Sequence, residues 1–455
     1  RTPMQSTSRL LGTERVGRLL LRLSLPSAIG MLVMASYNIV DAVFIGRGVG
    51  SMGLAAVAIC FPLQMLVGAL AVLAGVGGSS IISRSMGAGR MDRARQAFGT
   101  TVFFCLLTGL IIAACGLAFL PLILRTFGAT PAILPHAKAY LEVILFGTPL
   151  QMLGMAGNHV ARAEGQARIA MTSLLISAVL NMILDPVFIF RFGWGMRGAA
   201  VATVLSQAVM LLWILNWFCR GKSSLRPGRE DLFPRRDILL EMTAIGSSEF
   251  TRMAAGSLSI VLVNAALVRH GGDASVAVYG VINRSLSFFF MPMMGIAQGF
   301  QPILGYNYGA GRMDRALDAI RLAVVSATGL ALVGFALVNL FPGEIFAFFS
   351  EDAALISEGT KSIRIITTVY FLVGFQITGS AMFQALGKAR PAFILSLSRQ
   401  VLLLIPLILV LPRFLGTWGV WMSFPLADGI SFCFTLYLFR KELDTLRREG
   451  QKSQE

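Results

Sequence analysis

Two aspartates interrupt stretches that otherwise suit lipid. Asp41 lies in SYNIVDAVFIG and Asp185 in NMILDP, with apolar residues on both sides of each. A charged residue at the centre of a bilayer costs about 2.5–3.5 kcal/mol even on the lenient insertion scale, so such groups face a cavity or a partner. Spacing adds companions. Asn181 and Asp185 are four residues apart and share a helix face, as do Tyr37 and Asp41. Thr203, in GAAVAT, supplies a hydroxyl from a neighbouring segment. One carboxylate pair, an amide, a phenol and a hydroxyl make an oxygen-rich pocket in an apolar wall. Two chemistries suit it: an aspartate that takes and releases a proton, or ligation of a hard monovalent cation such as Na+. Both stay open, and plain helix-to-helix hydrogen bonding by the same groups competes with them. No cofactor and no other metal is expected.

Such residues need elements to hold them. The chain of 455 residues is 55% hydrophobic and 14% charged, where an average soluble domain is roughly 25% charged, and its mean hydropathy is +0.73. Twelve predominantly apolar runs recur, at 17–45, 54–80, 97–121, 137–157, 166–190, 198–219, 238–268, 275–303, 318–341, 361–380, 392–411 and 417–439. Each is long enough to cross about 30 Å of hydrocarbon as a helix, and strands are excluded because their open edges would go unpaired in lipid. The first run follows a basic leader and is too long for a cleavable signal peptide. Pro26 lies on the same stripe as Tyr37 and Asp41; lacking an N–H, it marks a place where the first helix can bend. Cys60, Cys105, Cys115, Cys219 and Cys433 fall in or beside apolar runs without CxxC spacing, which argues against a disulfide framework.

The octapeptide GAGRMDRA occurs at Gly87–Ala94 and again at Gly309–Ala316, an offset of 222. AEGQAR (Ala163–Arg168) and ALGKAR (Ala385–Arg390) keep that offset, and Gly195 and Gly198 answer to Gly416 and Gly419 after a slip of one. The expected architecture is therefore all-α and integral to the membrane. It has two parallel six-helix lobes, 1–219 and 237–455, joined by a linker at 220–236 and related by a pseudo-twofold axis along the membrane normal. Substrate sites in such repeats lie near the midplane between lobes. Alternate loops hold 27 and 6 Lys and Arg, which predicts both termini and the linker in the cytoplasm of a multi-pass cell (inner) membrane protein. That asymmetry accounts for the net charge of +16 without nucleic acid. The expected partners are the bilayer and small organic molecules, and the chain is read as a monomer.

The duplication fails at Asp41, Asn181 and Asp185, which fall opposite Val263, Leu403 and Leu407. The second half has polar residues of its own: Glu249, Arg252, Arg284, Arg399 and Asp428 carry both signs, which predicts internal ion pairs. Met31, Met34, Met152, Met155, Met291 and Met294, with Phe288, suit a promiscuous apolar cavity, although methionine is also ordinary membrane filler.

The first-helix run PSAIGMLVMASYNIVDAVFIG, NMILDP, GAAVAT, and MGAGRMDRA paired with YGAGRMDRA together resemble the multidrug and toxic compound extrusion (MATE) family, in its prokaryotic DinF-like branch. That resemblance implies efflux of organic, often cationic amphipathic compounds in exchange for H+ or Na+, by alternation between inward- and outward-open states. It also implies a coupling site at Asp41, Asn181, Asp185 and Thr203, with Tyr37 and Pro26 in support. A flippase for a lipid-linked sugar or cell-wall precursor is the nearest rival, expected to line its cleft with more basic residues. An integral membrane enzyme is a more distant one, since His136, His159 and His270 do not cluster with acids.

Overall fold

Apolar runs in lipid must satisfy their own backbone, and the chain does so with helices throughout. The computed structural model describes residues 6–220, 223–226, 228 and 230–452, and contains no strand among them. Gly221, Lys222, Pro227 and Arg229 of the expected linker, and residues 1–5 and 453–455, lie outside the described residues. The first six spans are α1 (Val16–Gly48), α2 (Ser51–Gly87), α3 (Met91–Ala118), α4 (Leu134–Ala163), α5 (Ala167–Arg191) and α6 (Gly195–Arg220). The longest helical run, Arg236–Gly309, is two helices meeting at Gly272, here α7 (236–271) and α8 (273–309). Then come α9 (Met313–Leu340), a broken α10 (Ala353–Ile366 and Tyr370–Ala385, bent by 47°), α11 (Ala389–Leu415) and α12 (Thr417–Lys452). Splitting the Arg236–Gly309 run at Gly272 and taking the bent α10 as one span gives, among the described residues, the twelve spans expected.

Three features differ from the sequence expectation. The tenth span starts at Ala353 and not at 361, because its first part carries Glu358, Lys361 and Arg364 and so escapes an apolar window; Asp352 caps it by accepting from the Ala354 N–H at 2.9 Å. Short helices at Leu120–Thr126 and Pro342–Phe349 follow α3 and α9, again 222 apart. The expected eleventh span contains a wider π-type turn at Ser398–Leu404, whereas the one in α5 lies at Val187–Arg191, just past Asp185.

The repeated octapeptide is a helix stop and restart. Gly89 and Gly311 take φ of 73° and 69°, where a side chain would be strained. The Arg90 N–H then reaches back to Ser85 O, and the Arg312 N–H to Asn307 O, each at 2.9 Å, closing the helix end as in a Schellman motif. The next helix begins at once, at Met91 and Met313. AEGQAR and ALGKAR repeat the same geometry: the Gln166 N–H reaches Ala161 O at 2.9 Å and the Lys388 N–H reaches Phe383 O at 2.8 Å.

The described chain forms two units. One holds Ile29–Gly246 with the residues through Thr13; the other holds Glu14–Ala28 with the residues from Ser247 onward. Each has its own apolar core, built in the first around Ile45, Leu141 and Met196 and in the second around Val263, Phe346 and Trp421. Glycines seat the transferred segments. In the first unit a Cβ at Gly77 would strike the Met242 carbonyl, and one at Gly246 would strike that of Leu73; in the second, Gly299 lies against Ser24 and Gly295 against Ala28.

Candidate functional site

The first unit brings together five of the predicted residues. Asn181 and Asp185 are wholly buried on one face of α5, as their four-residue spacing requires. The Asn181 amide donates to Asp185 Oδ1 at 3.3 Å and to Thr203 Oγ1 on α6 at 3.4 Å, and the Thr203 hydroxyl itself donates to Ala199 O at 3.0 Å. From α1, the Asp41 carboxyl comes within hydrogen-bonding reach of Asp185, and Tyr37, one turn earlier, stands close enough to feel both charges. Three oxygens in this group have no hydrogen-bond partner among the described residues: Asp41 Oδ1, Asn181 Oδ1 and Asp185 Oδ2. Buried oxygens of this kind are normally satisfied. Here they belong to three neighbouring side chains with no cationic side chain paired to them, a donor set that fits a shared proton or a small hard cation.

Two contributors escaped the sequence reading. Tyr140 on α4 lies near Asp41, Tyr37 and Cys60, and Gln64 on α2 donates to its hydroxyl at 3.2 Å. Their polarity within apolar runs is visible in the sequence; which helices bring them to Asp41 is not. Pro26 is buried within α1, which remains helical from Val16 to Gly48, and it belongs to the second unit, two residues before the division at Ala28. Met31, Met34 and Met155 are half-buried in the first unit, and Met152 is wholly buried. In the second unit Met291 and Met294 are half-buried and Phe288 is exposed.

A second acid was missed. Glu164, in the AEGQAR turn, is buried and accepts five contacts: from the Ser223 hydroxyl at 2.8 Å, the Ser224 N–H and hydroxyl at 2.8 and 2.9 Å, the Leu225 N–H at 3.2 Å and the Trp217 indole at 3.4 Å. Burial raises its carboxyl above the usual glutamate range even though every one of these donors favours the charged form. The signal was present, since Leu386 occupies the equivalent place in ALGKAR.

In the second unit the expected ion pairs form, with one exception. Arg252 grips Glu249 Oε2 at 2.6 and 2.9 Å, and Gln384 donates to Glu249 Oε1 at 3.0 Å. Arg399 donates to Asp428 Oδ1 at 2.5 Å. Arg284 departs from the expectation: it is exposed and makes no ion pair among the described residues.

Comparison with known proteins follows the same two halves. Residues 26–187 and 253–410 match the family described as MatE. The Multidrug export protein MepA of Staphylococcus haemolyticus is 30% identical over 422 residues, 92% of each chain. A crystal structure described as MATE in the bent conformation superposes with a TM-score of 0.92 at 27% identity, covering 98% of this chain and 99% of that one. An outward-facing multidrug resistance MATE family transporter of the MOP superfamily gives 0.91, also at 27% identity, with coverage of 98% and 99%.

Proposed function

The chain belongs to the MATE family of membrane transporters, and from that premise we propose that its first-half oxygen cluster is the site where a driving cation, H+ or Na+, binds. The protein is a multi-pass membrane transporter for multidrug efflux, moving small organic compounds, many cationic and amphipathic, by alternation between inward- and outward-open states. Being a transporter, it is read as having no enzymatic activity of its own.

One observation carries the coupling assignment: Asp41 and Asp185 adjoin, and among the described residues no basic side chain is paired with either. Two adjoining carboxyl groups cannot both stay charged out of water without a proton or a metal cation between them. Asn181 orients the pair, turning its amide N–H groups to Asp185 and Thr203 and leaving its own oxygen free. When the cation leaves, the site holds net negative charge, which favours a positively charged substrate; when it returns, that attraction ends. Asp41 and Pro26 share α1, and the proline removes one backbone hydrogen bond there. The state of the carboxyl pair can therefore bias a bend in the same helix.

The test uses purified protein in proteoliposomes and a fluorescent organic cation, driven by a pH gradient alone and, separately, by a Na+ gradient alone. Uptake under one gradient, lost in Asp41→Asn, is the expected result. Equal uptake by wild type and Asp41→Asn under both would remove the site from coupling. Orientation is proposed from the basic loops: a membrane-impermeant thiol reagent applied to intact cells labels Arg47→Cys and Arg413→Cys but not Glu230→Cys at an exposed linker position, and the reverse pattern overturns it.

A further inference from the structure

Arg284 stands where no arginine belongs for structural reasons alone. It lies twelve residues past the break at Gly272, which at the helical rise is about 18 Å along α8, deep in a hydrocarbon layer about 30 Å thick. The buried stripe of α8 runs through Ser275, Tyr279, Ile282 and Ser285, and Arg284 points away from it with the exposed Asn283 beside it. Arg252 and Arg399 are each occupied by an acid; Arg284 has no hydrogen bond or ion pair among the described residues. A guanidinium facing lipid at this depth is strongly disfavoured, so the face it occupies must be wetted or filled by something polar. The neighbours on that face fit an amphiphile. A Cβ at Gly280, one turn before, would meet nothing within 4 Å, while Phe288 and Met291, one and two turns after, are exposed and half-buried apolar groups.

We propose that the exposed face of α8 is a binding site for the anionic group of an exported aromatic amphiphile, with Arg284 and Asn283 taking its carboxylate or sulfonate and Phe288 and Met291 its apolar body. The planar guanidinium suits such oxyanions through paired N–H donors. The inference rests on the multidrug-export reading and extends its substrates from cations to anionic and zwitterionic compounds.

The full-length protein, purified, is titrated with fluorescein as the anionic dye and ethidium as the cationic one, binding being read by fluorescence polarisation and transport in proteoliposomes. Arg284→Ala is expected to lower the fluorescein-to-ethidium affinity ratio about tenfold, the scale of one charge-assisted hydrogen-bonded contact. Arg284→Lys, a point charge without the paired donors, should retain only part of it, and Arg284→Glu should invert the preference. An unchanged ratio in Arg284→Ala, or a wild type that binds ethidium and not fluorescein, overturns the proposal. Failure of wild type to transport ethidium at all would instead count against multidrug export, whatever fluorescein binding shows.

Discussion

In the first half Asp41 and Asp185 adjoin each other, whereas in the second Asp428 and Glu249 each face an arginine. Asp41 and Asp185 adjoin with three oxygens of their group unpartnered. Asp428 is held by Arg399 at 2.5 Å and Glu249 by Arg252 at 2.6 Å. Both halves use the same helix order and the same glycine turns, so the scaffold does not account for the contrast. One half carries the counter-charges of Glu249 and Asp428 in its own sequence. The other must take its counter-charge from solution, which makes it the half able to respond to an ion gradient.

That contrast can be broken most decisively by neutralisation. Asp41→Asn should lower gradient-driven uptake by about a hundredfold, towards the top of the usual range of coupling between two sites, with no loss of melting temperature, because a like-charge contact disappears. Asp428→Asn should act on stability. It leaves Arg399 without its acid, and with that guanidinium about one-third exposed the full cost of a broken buried pair shrinks to about 2 kcal/mol, readable as a lower melting temperature. Adding Arg399→Met to Asp428→Asn should restore most of it. If Asp428→Asn uncouples transport at unchanged stability while Asp41→Asn transports normally, the two halves have been assigned in reverse.

A smaller effect is expected at Glu164. Glu164→Ala strips the acceptor from the Ser224 and Leu225 N–H groups, worth about 1–3 kcal/mol locally, and should appear as faster proteolysis near Ser223 with the rest of the chain intact. Because burial raises the Glu164 pKa in the folded state, the folded protein binds this proton more tightly than the unfolded chain. The contribution to stability is therefore present at low pH and is lost as pH rises beyond the ordinary glutamate range. Glu164→Gln should flatten that dependence, which limited proteolysis across pH would reveal.

The smallest effects should be the most symmetric. Gly89→Ala and Gly311→Ala each force a side chain into a φ near 70°, at about 1 kcal/mol apiece. Thermal melts should give nearly equal losses. A marked inequality would mean that the duplicated turns serve different purposes.

Much of this was legible in the sequence because it depends on local spacing. Hydropathy gives the helices, the octapeptide gives the repeat, and four-residue spacing gives the shared face of Asn181 and Asp185. Comparing the repeats finds Asp41 by its departure from Val263, and the same comparison would have found Glu164 against Leu386. What could not be read depends on tertiary approach or on mixed composition. Tyr140 and Gln64 reach the carboxyl group from helices whose packing no spacing rule determines, and the polar start of α10 looks like a loop to any apolar window. Arg284 looked like a partner for an acid because the sequence shows both signs without showing that Arg284 lies on the exposed side of α8.

The crossed allegiance of two short segments bears on how the protein is made. Residues 14–28 belong to the second unit and 236–246 to the first, each fitted against glycines of the unit that receives it. On a ribosome, then, the earliest span waits with its first half unmatched while some two hundred further residues are added, and the first unit closes only once the chain has passed the linker and delivered 236–246. The first half is therefore not a complete product when its six helices have been synthesised, and the second draws on a segment made before any helix of its own. For biogenesis, the duplicated chain is assembled across its own midpoint: the first part is finished with residues from the second half, and the second with residues from the first.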